Sequence, residues 1–88
     1  CNLLCHHCYS KADANGTDTL TFDQICKTIP SMIKAGVKFV IFSGGEPLIR
    51  KDIFLIAQEM KKAGIITYLS TNGMYITNKN AKQIVETF

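Results

Sequence analysis

Hydrophobic residues along this chain recur with helical spacing in some stretches and in continuous runs in others. Between Thr21 and Gly36 the spacing predicts an amphipathic helix. Thr21 and Gln24 form a capping-box pattern at its start, and Gly36 suits its end. Pro30 interrupts the stretch, so we expect a kink or a break near Ile29. The apolar face of this helix comprises Phe22, Ile25, Ile29, Met32 and Ile33.

The strongest strand signal is the nearly continuous apolar run of residues 37–43. Its β-favouring composition is typical of a parallel strand that is covered on both faces. The elements predicted after it are a helix from about Asp52 to Ala63 closed by Gly64, a strand over residues 65–70, and a third helix that begins near Thr77 or Asn78 and is still running at Phe88. Strands that alternate with helices indicate right-handed crossovers, so the predicted fold class is α/β, built from parallel β/α units.

Composition excludes several classes of protein. The 88 residues suffice for one small domain, and an apolar fraction of 47% is typical of a globular chain. No run approaches the roughly 20 apolar residues that a membrane span requires, and no signal peptide is apparent. The charge of +3 comes from dispersed lysines, which favours solvated helix faces over a nucleic-acid surface. We therefore expect neither a membrane nor a nucleic-acid partner, and a segment that is cut at both ends.

The chain opens with CNLLCHHC, in which three cysteines have the spacing C-x3-C-x2-C. Three thiolates can hold three corners of an iron–sulfur cube and leave one iron open for a small molecule. A zinc site that uses His6 or His7 as its fourth ligand is the alternative that the loop leaves open. Three cysteines in one loop favour intracellular metal or redox chemistry over a disulfide scaffold.

A second candidate site is Gly44-Gly45-Glu46-Pro47, at the carboxyl end of the first predicted strand. Ligands of parallel sheets bind at that edge. Glycine permits positive φ and a close approach of the backbone to a ligand, and Pro47 favours an extended Glu46. Backbone carbonyls and the Glu46 carboxylate could then accept hydrogen bonds from an ammonium group. A Gly-Gly pair by itself favours the simpler interpretation of a strand-to-helix turn.

The two motifs together resemble the radical S-adenosylmethionine superfamily, in which C-x3-C-x2-C is followed some 35 residues later by a strand ending in GGEP. The segments CNLLCHHCY, FSGGEPLIR and LSTNG resemble especially its SPASM/Twitch branch, and the resemblance covers essentially all 88 residues. It implies a partial (β/α)6 TIM-like barrel. Residues 1–88 would be the N-terminal part of that core domain, without the strand before Cys1 and without the later strands.

The resemblance also implies site residues. The ligands of three irons of a 4Fe–4S cluster would be Cys1, Cys5 and Cys8, and His7 would pack beside the cluster or the adenine. The motif Gly44, Gly45, Glu46 and Pro47 would bind the methionine amino group of S-adenosylmethionine. The residues that face the cofactor or substrate from the next strand would be Ser70, Thr71 and Asn72.

The activity implied by the resemblance is that of a cytoplasmic oxidoreductase or maturase. Its cluster would reductively cleave S-adenosylmethionine to a 5′-deoxyadenosyl radical that abstracts hydrogen from a substrate. An electron donor of flavodoxin or ferredoxin type would reduce the cluster. The substrate would be a small molecule or a peptide, from a haem or tetrapyrrole pathway or from peptide maturation. We expect residues 1–88 alone to be inactive.

Two further residues have structural interpretations. Cys26 lies on the first predicted helix beside Ile25 and Ile29, where a buried free cysteine is common. Arg50 could pair with Asp52 or Glu46 or reach a ligand anion, and an exposed salt bridge is the role that we expect.

Overall fold

The computed structural model describes residues 20–88, in which helices and strands alternate as expected. The elements are α1 (Phe22–Lys34), β1 (Phe39–Phe42), a 3-10 helix (Pro47–Ile49), α2 (Ile53–Lys62), β2 (Ile66–Leu69) and α3 (Ala81–Thr87). The two strands are parallel neighbours, with Phe39 opposite Ile66 and Phe42 opposite Leu69. This confirms an α/β fold built from parallel β/α units.

Helix α1 begins at the capping box that the sequence predicted. The Gln24 N–H donates to Thr21 Oγ1 at 3.1 Å, and the Thr21 N–H donates to Gln24 Oε1 at 2.9 Å. The helix continues through Pro30 to Lys34, so of the kink or break expected near Ile29, the break does not occur. Pro30 lies on the exposed side, whereas Ile29 is buried in the core. Packing of the apolar face supplies most of the stability of such a helix, and it outweighs one missing hydrogen bond.

Helices α1 and α2 end in two separate turns of the same type. Gly36 and Gly64 have φ values of +85° and +88°, in the left-handed region that glycine adopts without strain. In each turn the residue after the glycine donates its N–H to a carbonyl five residues back, and the N···O distance is 3.0 Å for both Val37 and Ile65. This is the Schellman arrangement, and it confirms both predicted helix ends.

The core lies between helices α1 and α2 and one face of the sheet. Its buried residues are Ile29, Ile56, Met60 and Ile65, and Val40 and Phe42 of β1 pack against them. The side chains of the other face of the sheet are more than half exposed: Phe39, Ile41, Ile66 and Tyr68. The expectation that β1 is covered on both faces is therefore wrong for the part of the chain described, because the described helices pack on one side.

Helix α3 begins at Ala81, later than the predicted start at Thr77 or Asn78. A turn closed by side chains comes first, because the Thr77 N–H donates to Asn80 Oδ1 at 2.7 Å and the Asn80 N–H donates to Thr77 Oγ1 at 3.3 Å. The C-terminal end of α3 contacts α2 and β2. Lys61 Nζ donates to the Glu86 carbonyl at 2.6 Å, and Thr67 Oγ1 donates to the Thr87 carbonyl at 2.7 Å. None of the helices within residues 20–88 has the length and apolar character needed to cross a membrane.

Candidate functional site

The carboxyl ends of β1 and β2 meet at one edge of the sheet. The strands are parallel and paired from end to end, so the segments that follow them leave on the same side. The Ser70 N–H donates to the Phe42 carbonyl at 2.9 Å and extends the pairing one residue beyond β2. The structure therefore brings to one edge of the sheet the Gly44–Pro47 motif and residues 70–72, to which the resemblance assigned contacts with the cofactor or substrate.

Within Gly44–Pro47, position 44 has the backbone conformation that favours glycine. Its φ is +104°, and a β-carbon built on it would meet nothing within 4 Å. Gly45 is not among the described glycines with positive φ. Both residues are exposed. The expected left-handed backbone thus occurs at Gly44 alone, beside open space in which a ligand could approach the main chain.

Glu46 turns the chain from the strand end into the 3-10 helix. Its backbone is extended, with φ −104° and ψ 108°, as expected for a residue before proline. Its Oε2 accepts a hydrogen bond from the Leu48 N–H at 2.9 Å and caps the short helix. Glu46 is only 6% exposed, so this turn places a carboxylate below the surface of the sheet edge.

The same carboxylate joins the two strand ends. Thr71 Oγ1 lies 2.7 Å from both carboxylate oxygens, and the Asn72 N–H donates to Oε1 at 2.8 Å. The Thr71 hydroxyl in turn accepts a hydrogen bond from the Gly73 N–H at 3.1 Å. Within residues 20–88, three donors thus converge on Glu46, whereas a carboxylate has roughly four acceptor positions. The site therefore combines a buried carboxylate, an acceptor position that these described donors leave unfilled, and the open backbone at Gly44.

The individual motifs did not predict the bridge from Glu46 to Thr71 and Asn72. The signal that could have found it is the strand register, since Glu46 and Thr71 follow paired strand ends closely. A buried acid beside a hydroxyl at such an edge is a natural hydrogen-bonding pair.

Arg50 pairs with Asp52, which is one of the two partners expected for it. The bond is bidentate, with Nε–Oδ1 at 2.5 Å and Nη2–Oδ2 at 3.2 Å. Asp52 occupies the N-cap position of α2, but its side chain makes no capping hydrogen bond. The Arg50 side chain is only 16% exposed, so the pair is more buried than the predicted surface salt bridge.

Cys26 packs against the core, as the sequence predicted. Desolvation raises the pKa of its thiol, and the nearby carboxylates of Glu59, Asp23 and Asp52 raise it further. Within residues 20–88, no three His, Cys, Asp or Glu side chains gather closely enough to hold a metal ion. The predicted iron ligands Cys1, Cys5 and Cys8, and also His7, lie outside the described residues.

Comparison with known proteins gives a family match over the whole chain. The model of the family described as the Radical SAM superfamily matches residues 1–88. The pre-heme d1 synthase of Dinoroseobacter shibae is 37% identical over 87 residues, which are 98% of this chain and 22% of that protein. The Fe-coproporphyrin III synthase of Methanosarcina barkeri is 36% identical over 87 residues, again 98% of this chain and 22% of the relative.

A relative named for a different activity is similar to nearly the same extent. The probable GTP 3′,8-cyclase of Pyrococcus horikoshii is 34% identical over 85 residues, which are 94% of this chain and 27% of that protein. The chain thus spans about a quarter of the length of these relatives. No solved structure matches the chain significantly.

Proposed function

This chain belongs to the radical SAM superfamily, and from that premise we propose that it is the N-terminal part of the core domain of a radical S-adenosylmethionine enzyme. The observation that carries the proposal is the family match over all 88 residues. The fit of this proposal with the structure rests on the strand-end site, which comprises residues 44–47 after β1 and residues 70–72 after β2. Longer relatives with the same segment support a parent protein with further strands.

The described residues fit the amino-acid head of S-adenosylmethionine. Its ammonium group needs acceptors, and the Glu46 carboxylate and the exposed backbone at Gly44 and Gly45 supply them. The left-handed Gly44 leaves room for this head to reach the main chain. Ser70 and Asn72 are exposed at the same edge, which suits contact with the cofactor or the substrate.

The residues proposed to hold a 4Fe–4S cluster are Cys1, Cys5 and Cys8, with His7 packed beside the cluster or the adenine. When bound, the cluster and S-adenosylmethionine supply a 5′-deoxyadenosyl radical that takes a hydrogen atom from the substrate. The task of the strand-end site is binding and orientation. Glu46 balances the charge of the ammonium group, and the hydrogen bonds from Leu48, Thr71 and Asn72 keep its carboxylate in place.

For the substrate we propose the haem or tetrapyrrole class ahead of peptide maturation. Support comes from two relatives, a pre-heme d1 synthase and an Fe-coproporphyrin III synthase. Because a probable GTP 3′,8-cyclase is also similar to this chain, GTP should be tested as the alternative substrate. We further propose SPASM-branch membership, because the segments CNLLCHHCY, FSGGEPLIR and LSTNG resemble that branch. A cytoplasmic location suits reduced cysteines that bind a metal cluster, and a flavodoxin- or ferredoxin-type donor would supply the electron that the reaction requires.

The test uses the full-length parent protein, reconstituted anaerobically with iron and sulfide and then reduced with S-adenosylmethionine present. We expect 5′-deoxyadenosine to form, and its absence from a protein that carries the cluster would refute the enzyme assignment. Separate reactions with a deuterated iron-porphyrin precursor, a deuterated peptide and deuterated GTP identify the substrate class. Only the true substrate transfers deuterium into 5′-deoxyadenosine.

Metal analysis tests the zinc alternative in the same preparations. We expect Cys8→Ala to lose iron and acid-labile sulfide, whereas His7→Ala should retain most of both. One zinc per chain without sulfide, lost in both variants, would instead establish a site of three cysteines and a histidine.

A further inference from the structure

We propose that Thr71 is a positioning residue, which holds the turn at Gly44–Glu46 in the shape that binds the amino-acid head of S-adenosylmethionine. The inference rests on the proposed function and adds a role for a side chain on the second strand end. Its basis is the hydroxyl of Thr71, 2.7 Å from both oxygens of the buried Glu46 carboxylate.

The geometry makes Thr71 the side-chain link between the two segments. Of the three donors within residues 20–88 that converge on Glu46, Leu48 belongs to the same turn, and Asn72 contributes its backbone N–H. Thr71 alone of the three donates from a side chain. Its hydroxyl also accepts from the Gly73 N–H at 3.1 Å, which fixes the direction in which the hydroxyl can donate.

Loss of this hydroxyl should act on the turn through Glu46. A buried carboxylate that loses a donor gains by moving toward water, and Gly44 and Gly45 precede it directly on an exposed turn. Affinity then falls in proportion to the fraction of molecules that keep the binding-competent turn. A ligand without an amino-acid head does not use the turn, so its affinity should stay the same.

The experiment measures binding to the full-length protein with its cluster oxidised, a state in which S-adenosylmethionine stays intact. Calorimetry gives the affinities of wild type and Thr71→Val for S-adenosylmethionine and for 5′-methylthioadenosine, which lacks the amino-acid head. We expect Thr71→Val to bind S-adenosylmethionine about tenfold more weakly, about 1.4 kcal/mol, with 5′-methylthioadenosine unchanged. Thr71→Ser should restore the affinity.

Two controls separate positioning from other roles. Thr28→Val makes the same substitution on the exposed side of α1, where the hydroxyl donates to the Ile25 carbonyl, and it should change neither affinity. In a double-mutant cycle, Thr71→Val should cost nothing further once Glu46→Ala is present, because the acceptor of the Thr71 hydroxyl is then absent. Additive losses would show instead that Thr71 contacts the cofactor directly, and would overturn the inference.

The remaining outcomes are also decisive. If wild type binds S-adenosylmethionine and Thr71→Val binds it equally well, the positioning role is refuted while the proposed function stands. Wild-type protein that carries its cluster but does not bind S-adenosylmethionine refutes the proposed function itself. If Thr71→Val does not load its cluster, Thr71→Ala removes the same hydroxyl without adding a methyl group and is judged by the same measurements.

Discussion

Replacing Glu46 with glutamine tests whether its carboxylate holds the two strand ends together. The Leu48 N–H faces one oxygen at 2.9 Å, the Asn72 N–H faces the other at 2.8 Å, and the Thr71 hydroxyl reaches both. A carboxamide has only one oxygen. Whichever way it turns, its NH₂ group must face one of the two backbone N–H groups, so a buried donor loses its acceptor.

The size of the effect follows from these contacts. An orphaned buried N–H costs about 1–3 kcal/mol, and loss of the charge weakens the remaining bonds, so we expect Glu46→Gln to destabilise the strand-end site by about 2–4 kcal/mol. The matched control is Glu59→Gln. Glu59 pairs with Lys62 at 3.2 Å on an exposed helix surface, a type of ion pair that contributes at most about 1 kcal/mol.

The assay is amide hydrogen exchange of the cofactor-free full-length protein, followed in peptides that cover residues 43–50 and 69–74. A loss of about 2–4 kcal/mol in local opening energy corresponds to exchange that is faster by roughly 30-fold to almost 1,000-fold. Glu59→Gln should leave both peptides unchanged. Exchange of Glu46→Gln within about threefold of wild type in both peptides would show that the carboxylate does not hold the strand ends together.

Three further substitutions and one labelling experiment test other features. Ile56→Ala removes a side chain that is 1% exposed and should cost about 2–5 kcal/mol in urea unfolding, and a cost below about 1 kcal/mol would contradict the core assignment. Gly44→Ala should cost about 1–2 kcal/mol from backbone strain alone, since no atom lies in the way, and a stabilised variant would contradict the positive φ. Thr21→Ala should cost about 1 kcal/mol through the lost capping box, and equal stability would contradict the cap. The raised pKa of Cys26 should make its alkylation at pH 7.5 slower than that of a small thiol in solution, measured by peptide mapping, and faster labelling would contradict its packing against the core.

The sequence predicted features that depend on a few neighbouring residues. The capping box at Thr21 and the turns at Gly36 and Gly64 follow from local hydrogen bonding and from the left-handed backbone that glycine tolerates. The meeting of the Gly44–Pro47 motif with residues 70–72 was predictable as well, because parallel strands place their carboxyl ends at one edge.

Features that depend on contacts across the fold were not predictable. Pro30 stays inside α1 because the helix is held by packing, which a local rule for proline does not include. The open face of β1 reflects which side the helices cover, and an apolar run carries no information on that choice. The partners of Glu46 became visible only once the register of the two strands was known. The cysteine ligands lie outside the described residues, so their role stays a prediction.

Among residues 20–88 no helix covers one side of the two strands, and this has a practical consequence for handling the segment. Phe39 and Tyr68 meet edge to face there, with ring centroids 5.8 Å apart, and Ile41 and Ile66 stand beside them in water. An exposed hydrophobic surface of this kind favours self-association as protein concentration rises. A recombinant polypeptide limited to residues 20–88 would therefore be prone to aggregation, and its oligomeric state in solution would have to be measured before any assay of activity.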